Sequence, residues 1–213
     1  MIGITPFRNG STSGFLHAPV APNGYGLVLT HGAGGNCQSP LLTSVADAFA
    51  SIGLTVLRCN LPFRHERPYG PPFPAQAKAD RDGLKQAITE LQSLVPGRIF
   101  LGGHSYGGRQ ASILASEQPD LVHRLLLLSY PLHPPKKPEQ LRTAHFPNLH
   151  TPALFVHGTK DPFGTVEEIR AALELIPATS SLSVIEKAGH DLNRGRFDIA
   201  HLVVESFCGK VPA

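Results

Sequence analysis

The chain of 213 residues is 41% hydrophobic and 16% charged, which excludes a disordered polymer and suits a single domain over 1–213 with a sizeable core. Its formal charge of +3 at pH 7 is a small, scattered excess. The densest basic spots, Arg64-His65-Glu66-Arg67 and Lys136-Lys137, are interrupted or short, so neither offers the continuous stripe that a nucleic-acid backbone requires.

Taken in order, the first signal is Asn9-Gly10 between two extended runs, 2–7 and 14–20, which predicts an antiparallel hairpin at a sheet edge. Gly26–Thr30 (GLVLT) is an unbroken apolar run of the kind buried on both faces of a parallel sheet, and it leads into His31-Gly32-Ala33-Gly34-Gly35-Asn36. Ser39 as N-cap and Pro40 at the first position open a helix whose Leu41, Leu42, Val45, Phe49 and Ile52 recur at helical spacing until Gly53. A strand over 54–59 precedes a Pro-rich passage, 61–74, to which no element is assigned. Then comes a helix over 75–95 with Leu84, Ala87, Ile88, Leu91 and Leu94 on one face. Residues 99–101 form a short apolar strand, Gly102-Gly103-His104-Ser105-Tyr106-Gly107-Gly108 a turn, and Ala111, Ile113, Leu114 and Ala115 a helical pattern that stops at Pro119. Strands follow over 124–129, 153–156 and 181–186; the stretch 130–151 lacks periodicity and is loaded with Pro and His. Thr165-x-x-Glu168 is a capping box that opens a helix to about 176. A last helix carries Phe197, Ala200, Leu202, Val203, Val204 and Phe207 and closes at Gly209. Strands alternating with helices imply an α/β fold of parallel strands joined by right-handed crossovers.

G-x-S-x-G between a strand and a helix is what a nucleophile elbow requires, and Gly103 and Gly107 remove Cβ atoms that would clash there. The motif alone also fits a glycine-rich loop with an idle serine, so the remaining strand ends decide. Asp161 follows the 153–156 strand and His190 the 181–186 strand, on the side where open parallel sheets gather their sites. The order Ser, Asp, His is that of α/β-hydrolases. Thr165 already caps the next helix, which leaves Asp161 without a capping duty. Asp191 is the rival acid, poorly placed to aim at a neighbour in sequence. Acyl transfer also needs amide donors for the oxyanion: the Tyr106 N–H is expected as one, and Ala33, with Gly34 as substitute, as the other. Arg64 and Arg67 are candidates to hold an anionic group of the substrate, against the alternative of a salt bridge to Glu66 or a loop carbonyl. His31, His104, His133 and His157 match no zinc spacing, so no metal is expected.

LTHGAGGN, NLPFRHERPYGPP, GGHSYGGR, SYPLHPPKKPEQLRTAHFP, FVHGTKDPFG and EKAGHDL, spread over nearly the whole chain, carry a resemblance. The chain resembles a small α/β-hydrolase of the dienelactone-hydrolase-like branch. It is especially similar to the compact group that includes testis-expressed protein 30 and the hydrolase-like region of a histone-acetyltransferase-complex subunit. The resemblance implies an α/β-hydrolase fold, with a mostly parallel sheet and helices on both faces, and implies Ser105 as nucleophile, Asp161 as acid and His190 as base. Residues 130–151 leave room for a flap, so no large cap domain is expected. Dienelactone hydrolase carries a cysteine at its elbow where Ser105 stands here, so its lactone substrate does not carry over. The expectation is a carboxylesterase-like serine hydrolase that cleaves a small ester or thioester through an acyl-enzyme, without a cofactor, and loses activity as its base is protonated in acid. Two rivals stand beside it: a scaffold that keeps the fold without using it, and a short-peptide serine peptidase. The expected partner is a small-molecule ester, with homodimerisation left open. The N-terminus lacks a secretory pattern, the apolar run Leu125–Leu128 is too short for a bilayer, and three unpatterned cysteines suit a reducing compartment, so a cytoplasmic protein without a membrane is expected.

Overall fold

Runs of Leu, Val and Phe with no polar side to show to water must be covered on both faces, and the sheet is built on that demand. The computed structural model describes residues 2–192 and 198–209. Six strands run parallel: β3 (Gly26–Thr30), β4 (Thr55–Cys59), β5 (Ile99–His104), β6 (Leu125–Leu128), β7 (Ala153–Gly158) and β8 (Ser180–Ile185). The hairpin of β1 (Gly3–Asn9) and β2 (Thr12–Ala18) is antiparallel and joins through β2 to β4, giving the order β1-β2-β4-β3-β5-β6-β7-β8. Asn9 pairs with Thr12, so the hairpin loop is Gly10-Ser11, one residue later than the Asn-Gly dipeptide suggested; Gly10 supplies the φ of +53° that the turn needs.

Among the described residues there are six α-helices: α1 (Pro40–Ser51), α2 (Pro62–Glu66), α3 (Ala77–Gln92), α4 (Tyr106–Glu117), α5 (Val166–Leu173) and α6 (Ile199–Cys208). Alternation along the strands divides the core. Leu27, Leu29, Leu126, Leu128, Leu154 and Val156 face α1 and α6, whereas Val28, Leu101, Leu125, Leu127 and Phe155 face α3, α4 and α5. Each such side chain taken fully from water contributes about 1.5–3 kcal/mol. The Ser39 hydroxyl accepts from the Leu42 N–H, and Thr165 and Glu168 cap each other's backbone, as their sequence signatures require.

Three boundaries differ from the sequence expectation. The Pro-rich passage contains α2, because Pro62 fits a first helical turn and the Phe63 N–H finds the buried Asp80 carboxylate, 3.0 Å away. The helix expected to 95 ends at Gln92, leaving Leu94 exposed, and the one expected to 176 ends at Leu173. Phe197, expected in the last helix, lies outside the described residues. The stretch 130–151 holds a single 3-10 turn, Phe146–Asn148, and folds back on itself through the Tyr130 hydroxyl, which donates to the Arg142 carbonyl at 2.6 Å. Among the described residues no large cap domain covers the sheet. Among the described residues no helix is long and apolar enough to cross a membrane.

The strand order reverses direction at β3: β4 lies on one side of it, while β5 to β8 proceed on the other. The crevice outside such a reversal is where open α/β sheets place their ligands. Here the register sets Thr30 beside Gly103, so the turn after β3 meets the turn after β5.

Candidate active site

Ser105 lies between β5 and α4 with φ 52° and ψ −118°, a left-handed backbone that a non-glycine residue adopts only when its surroundings impose it. Its N–H donates to the Leu128 carbonyl at 2.8 Å and its carbonyl accepts from the Arg109 N–H at 3.0 Å, which anchors the elbow to β6 and to the first turn of α4. The flanking glycines are required by space. A Cβ on Gly103 would stand 2.5 Å from the Gly108 nitrogen, and one on Gly107 would stand 2.5 Å from the His31 carbonyl oxygen.

The structure brings Ser105, Asp161 and His190 together. The Ser105 hydroxyl and His190 Nε2 are 2.8 Å apart, and His190 Nδ1 is 2.8 Å from Asp161 Oδ2. An ionised carboxylate can only accept, so Nδ1 carries the proton and Nε2 is left to accept from the serine. Asp161 is held in turn: its Oδ1 accepts from the Phe163 N–H at 2.9 Å, and its carboxylate is fully buried. Asp161 is thus the acid that holds His190 Nδ1. Phe163 stacks on His190 with ring centroids 4.2 Å apart, and His104 donates from Nε2 to the His190 carbonyl at 2.8 Å. Burial holds the His104 ring below the usual histidine range, so it serves as a neutral donor.

The second half of the site is the turn 32–35. Gly35 N–H donates to the Gly32 carbonyl at 3.1 Å, closing a four-residue turn with Ala33 and Gly34 at its centre. The two central N–H groups of such a turn take no part in its closing bond. Across a planar trans peptide an N–H points opposite to the carbonyl it shares the unit with. The Gly32 carbonyl is held by Gly35 and by His31 Nδ1–H at 2.9 Å, and the Ala33 carbonyl by Arg64 at 2.7 Å, so both amides are aimed. His31 is fixed as this tautomer by the Leu61 N–H, which donates to its Nε2 at 3.1 Å, and burial pushes its pKa down to about 4. The Tyr106 N–H, first in α4, belongs to the helix turn that has no internal acceptor.

A cavity of about 450 Å³ opens before Ser105, between the 31–35 turn and Pro40, Leu41, Phe163 and His190. A second, of about 410 Å³, shares His104, His190 and Asp191 with it and adds Lys160, Pro162 and Gly189. Ala33 and Gly34 line the first; Arg64 and Arg67 line neither. Both arginines are placed otherwise than a substrate arm requires. Arg64 is 8% exposed and its guanidinium donates to the carbonyls of Ala33, Arg67 and Gly70, while Arg67 stacks on the Phe73 ring at 4.0 Å. The loop-carbonyl alternative is what the side chain adopts; Glu66 instead accepts from Gln76.

Two contributors escaped the sequence reading. Asp80 has no exposed surface, accepts from the Phe63 N–H at 3.0 Å and from the Tyr106 hydroxyl at 2.7 Å, and has its pKa raised, chiefly by burial. Its signal was present: Asp80 is one turn before Leu84 on the apolar stripe of α3, where a carboxylate needs a reason to be. Phe163, two residues past the acid, gave no comparable sign.

The sequence profile of the alpha/beta hydrolase domain matches residues 24–200. Among solved structures, a dienelactone hydrolase from Anabaena variabilis is 21% identical, with a TM-score of 0.77, over 100% of this chain and 99% of its own. Est1E from Butyrivibrio proteoclasticus is 17% identical with a TM-score of 0.75, covering 97% and 98%. XC6422 from Xanthomonas campestris, described as an α/β serine hydrolase without a lid, is 17% identical with a TM-score of 0.74, covering 100% and 96%. These structures share the fold, and the match over 24–200 places the chain in the alpha/beta hydrolase domain family.

Proposed function

We propose that the chain is a lid-less serine hydrolase of the dienelactone-hydrolase-like branch, in the compact group that includes testis-expressed protein 30, and that it cleaves a small ester or thioester with an uncharged acyl group. The observation that carries this reading is the line from Ser105 Oγ through His190 to Asp161, with 2.8 Å at each step. His190 Nε2 takes the serine proton as Oγ attacks the substrate carbonyl, and Asp161 steadies the imidazolium without itself being protonated. The amides of Tyr106 and of Ala33 hold the oxyanion. His190 then gives its proton to the departing alkoxide or thiolate, and water repeats the cycle on the acyl-enzyme, with no cofactor.

The acyl group is read as uncharged because Pro40, Leu41 and Phe163 line the first cavity and no lysine or arginine does among the described residues. Its volume falls within the range of small-molecule sites, about 300–1,000 Å³. Lys160 borders the second cavity. We place this single-domain enzyme in the cytoplasm, with a small-molecule ester as its partner.

The test is labelling with a fluorophosphonate together with a panel of p-nitrophenyl esters and acyl thioesters. Ser105 should carry the label, and Ser105→Ala should lower kcat by about 10⁶. An unlabelled Ser105, or undiminished cleavage by the variant, would leave the scaffold role in possession.

A further inference from the structure

We propose that Arg64 is a positioning residue for the oxyanion site: by holding the Ala33 carbonyl it sets the peptide units of the 32–35 turn against Ser105. The inference rests on the serine-hydrolase reading above. The turn contains three glycines, and a Cβ at Gly34 would meet nothing within 4 Å, so packing does little to fix the backbone at that position. What fixes it is a set of donors to its carbonyls. Arg64 Nη2 reaches Ala33 at 2.7 Å and Gly70 at 3.2 Å, while Nη1 reaches the Arg67 carbonyl at 2.8 Å. The same guanidinium packs on the Phe63 ring at 4.7 Å.

Arg64 is itself held. It belongs to α2, whose Phe63 N–H is bound by Asp80, and the same carboxylate accepts from the Tyr106 hydroxyl. One buried acid therefore ties the residue that offers the first oxyanion amide to the helix whose Arg64 holds the Ala33 carbonyl. This fixes the Ala33–Gly34 peptide unit, which adjoins the Ala33 amide and carries the Gly34 N–H. Spanning three carbonyls needs the rigid fork of an arginine; a lysine is a single point of charge on a flexible stem. An arginine whose two terminal nitrogens are both engaged with backbone carbonyls, beside a cavity it does not line, acts on geometry rather than on substrate charge.

The experiment compares wild type with Arg64→Met, Arg64→Lys and Arg81→Met, a control arginine paired with Glu117. It uses a p-nitrophenyl ester, with phenylboronic acid as a tetrahedral analogue. Arg64→Met should lower kcat about 10- to 100-fold with KM within about threefold, and weaken boronate inhibition in proportion. Arg64→Lys should recover part of both, and Arg81→Met should change neither. A purely structural arginine would lower the melting temperature and leave kcat and boronate affinity per folded molecule intact, and that result overturns the proposal. If no turnover depends on Ser105, the hydrolase reading fails instead. The tether is then read from amide exchange of Gly35, whose N–H closes the turn: faster exchange in Arg64→Met supports it, and unchanged protection removes it.

Discussion

On the nucleophile side, Ser105 comes directly after β5, Asp161 three residues beyond the end of β7 and His190 five beyond the end of β8. On the oxyanion side, Ala33 and Gly34 also follow a strand, but their orientation depends on a relay of donors, two of them from further along the chain: the His31 side chain to the Gly32 carbonyl, the Leu61 backbone N–H to His31, and the Arg64 side chain to the Ala33 carbonyl. The first half is placed by parallel topology, in which hydrogen-bonded strands carry each functional group to the same edge. The second half is placed by two side chains donating to a glycine-rich turn, one of them fixed by a backbone N–H. A change in a strand-end side chain should thus remove a chemical role, whereas a change in a tether should leave the groups present and misaim them.

The largest effect that sharpens this contrast short of removing the nucleophile is Asp161→Asn. The asparagine oxygen would keep the Phe163 N–H, turning its NH₂ toward His190 Nδ1. The imidazole proton would then move to Nε2, which faces Ser105 as a donor and can no longer accept. We expect kcat to fall by about 10⁴ with KM little changed and the fold retained. Steady-state kinetics on an ester alongside a thermal melt decide it. A loss below about tenfold would mean that Asp161 only supports the loop around Phe163.

The contrast also explains what could be read from the sequence. The β3, β5, β6 and β7 runs and the Ser39 and Thr165 caps depend on residues adjacent in sequence, and their elements are where the sequence puts them. The convergence of Ser105, Asp161 and His190 followed from strand ends and chain order, which need no knowledge of side-chain direction. Arg64 was different. From sequence a guanidinium near the catalytic edge reads equally as a substrate arm or a backbone tether, because the choice depends on where the 67–70 loop and the 32–35 turn lie in space. Helix α2 was hidden for a related reason: its Phe63 N–H is satisfied by Asp80, seventeen positions further along the chain.

Acid offers a gentler way to separate the halves. His31 is 1% exposed, its ordinary value of 6.5 is lowered to about 4, mainly by burial, and its Nε2 must stay unprotonated to accept from Leu61. Between those two values the unfolded chain takes up a proton that the folded chain refuses, so stability is present above 6.5 and is lost as pH falls toward 4. At pH 5 the loss from this ring relative to pH 7 is about 2 kcal/mol. His145, lowered to about 4 by burial, shifts stability in the same direction, so the measurement has to be differential. Urea unfolding of wild type and His31→Gln at pH 7 and pH 5 isolates the ring: the variant should lose about 2 kcal/mol less on acidification. Equal losses would show that His31 is not kept neutral in the fold, and would remove it from the tethers of the turn.

The smallest expected effect is the most discriminating for substrate class. If the arginines act on backbone and on Phe73 rather than on substrate, the ratio of kcat/KM for a neutral acyl ester to that for a carboxylate-bearing one should be indifferent to them. Arg67→Ala removes a guanidinium stacked at 4.0 Å on Phe73 and outside both cavities, and should leave that ratio within about twofold. Arg64→Met should depress both substrates alike, because misaiming an amide weakens every oxyanion equally, and the ratio should again hold. A paired arginine and carboxylate would behave otherwise: its loss would fall on the anionic substrate alone, by about tenfold or more. Such a shift in either variant would move the substrate toward α2 and make the cavity beside Pro40 and Leu41 the leaving-group side.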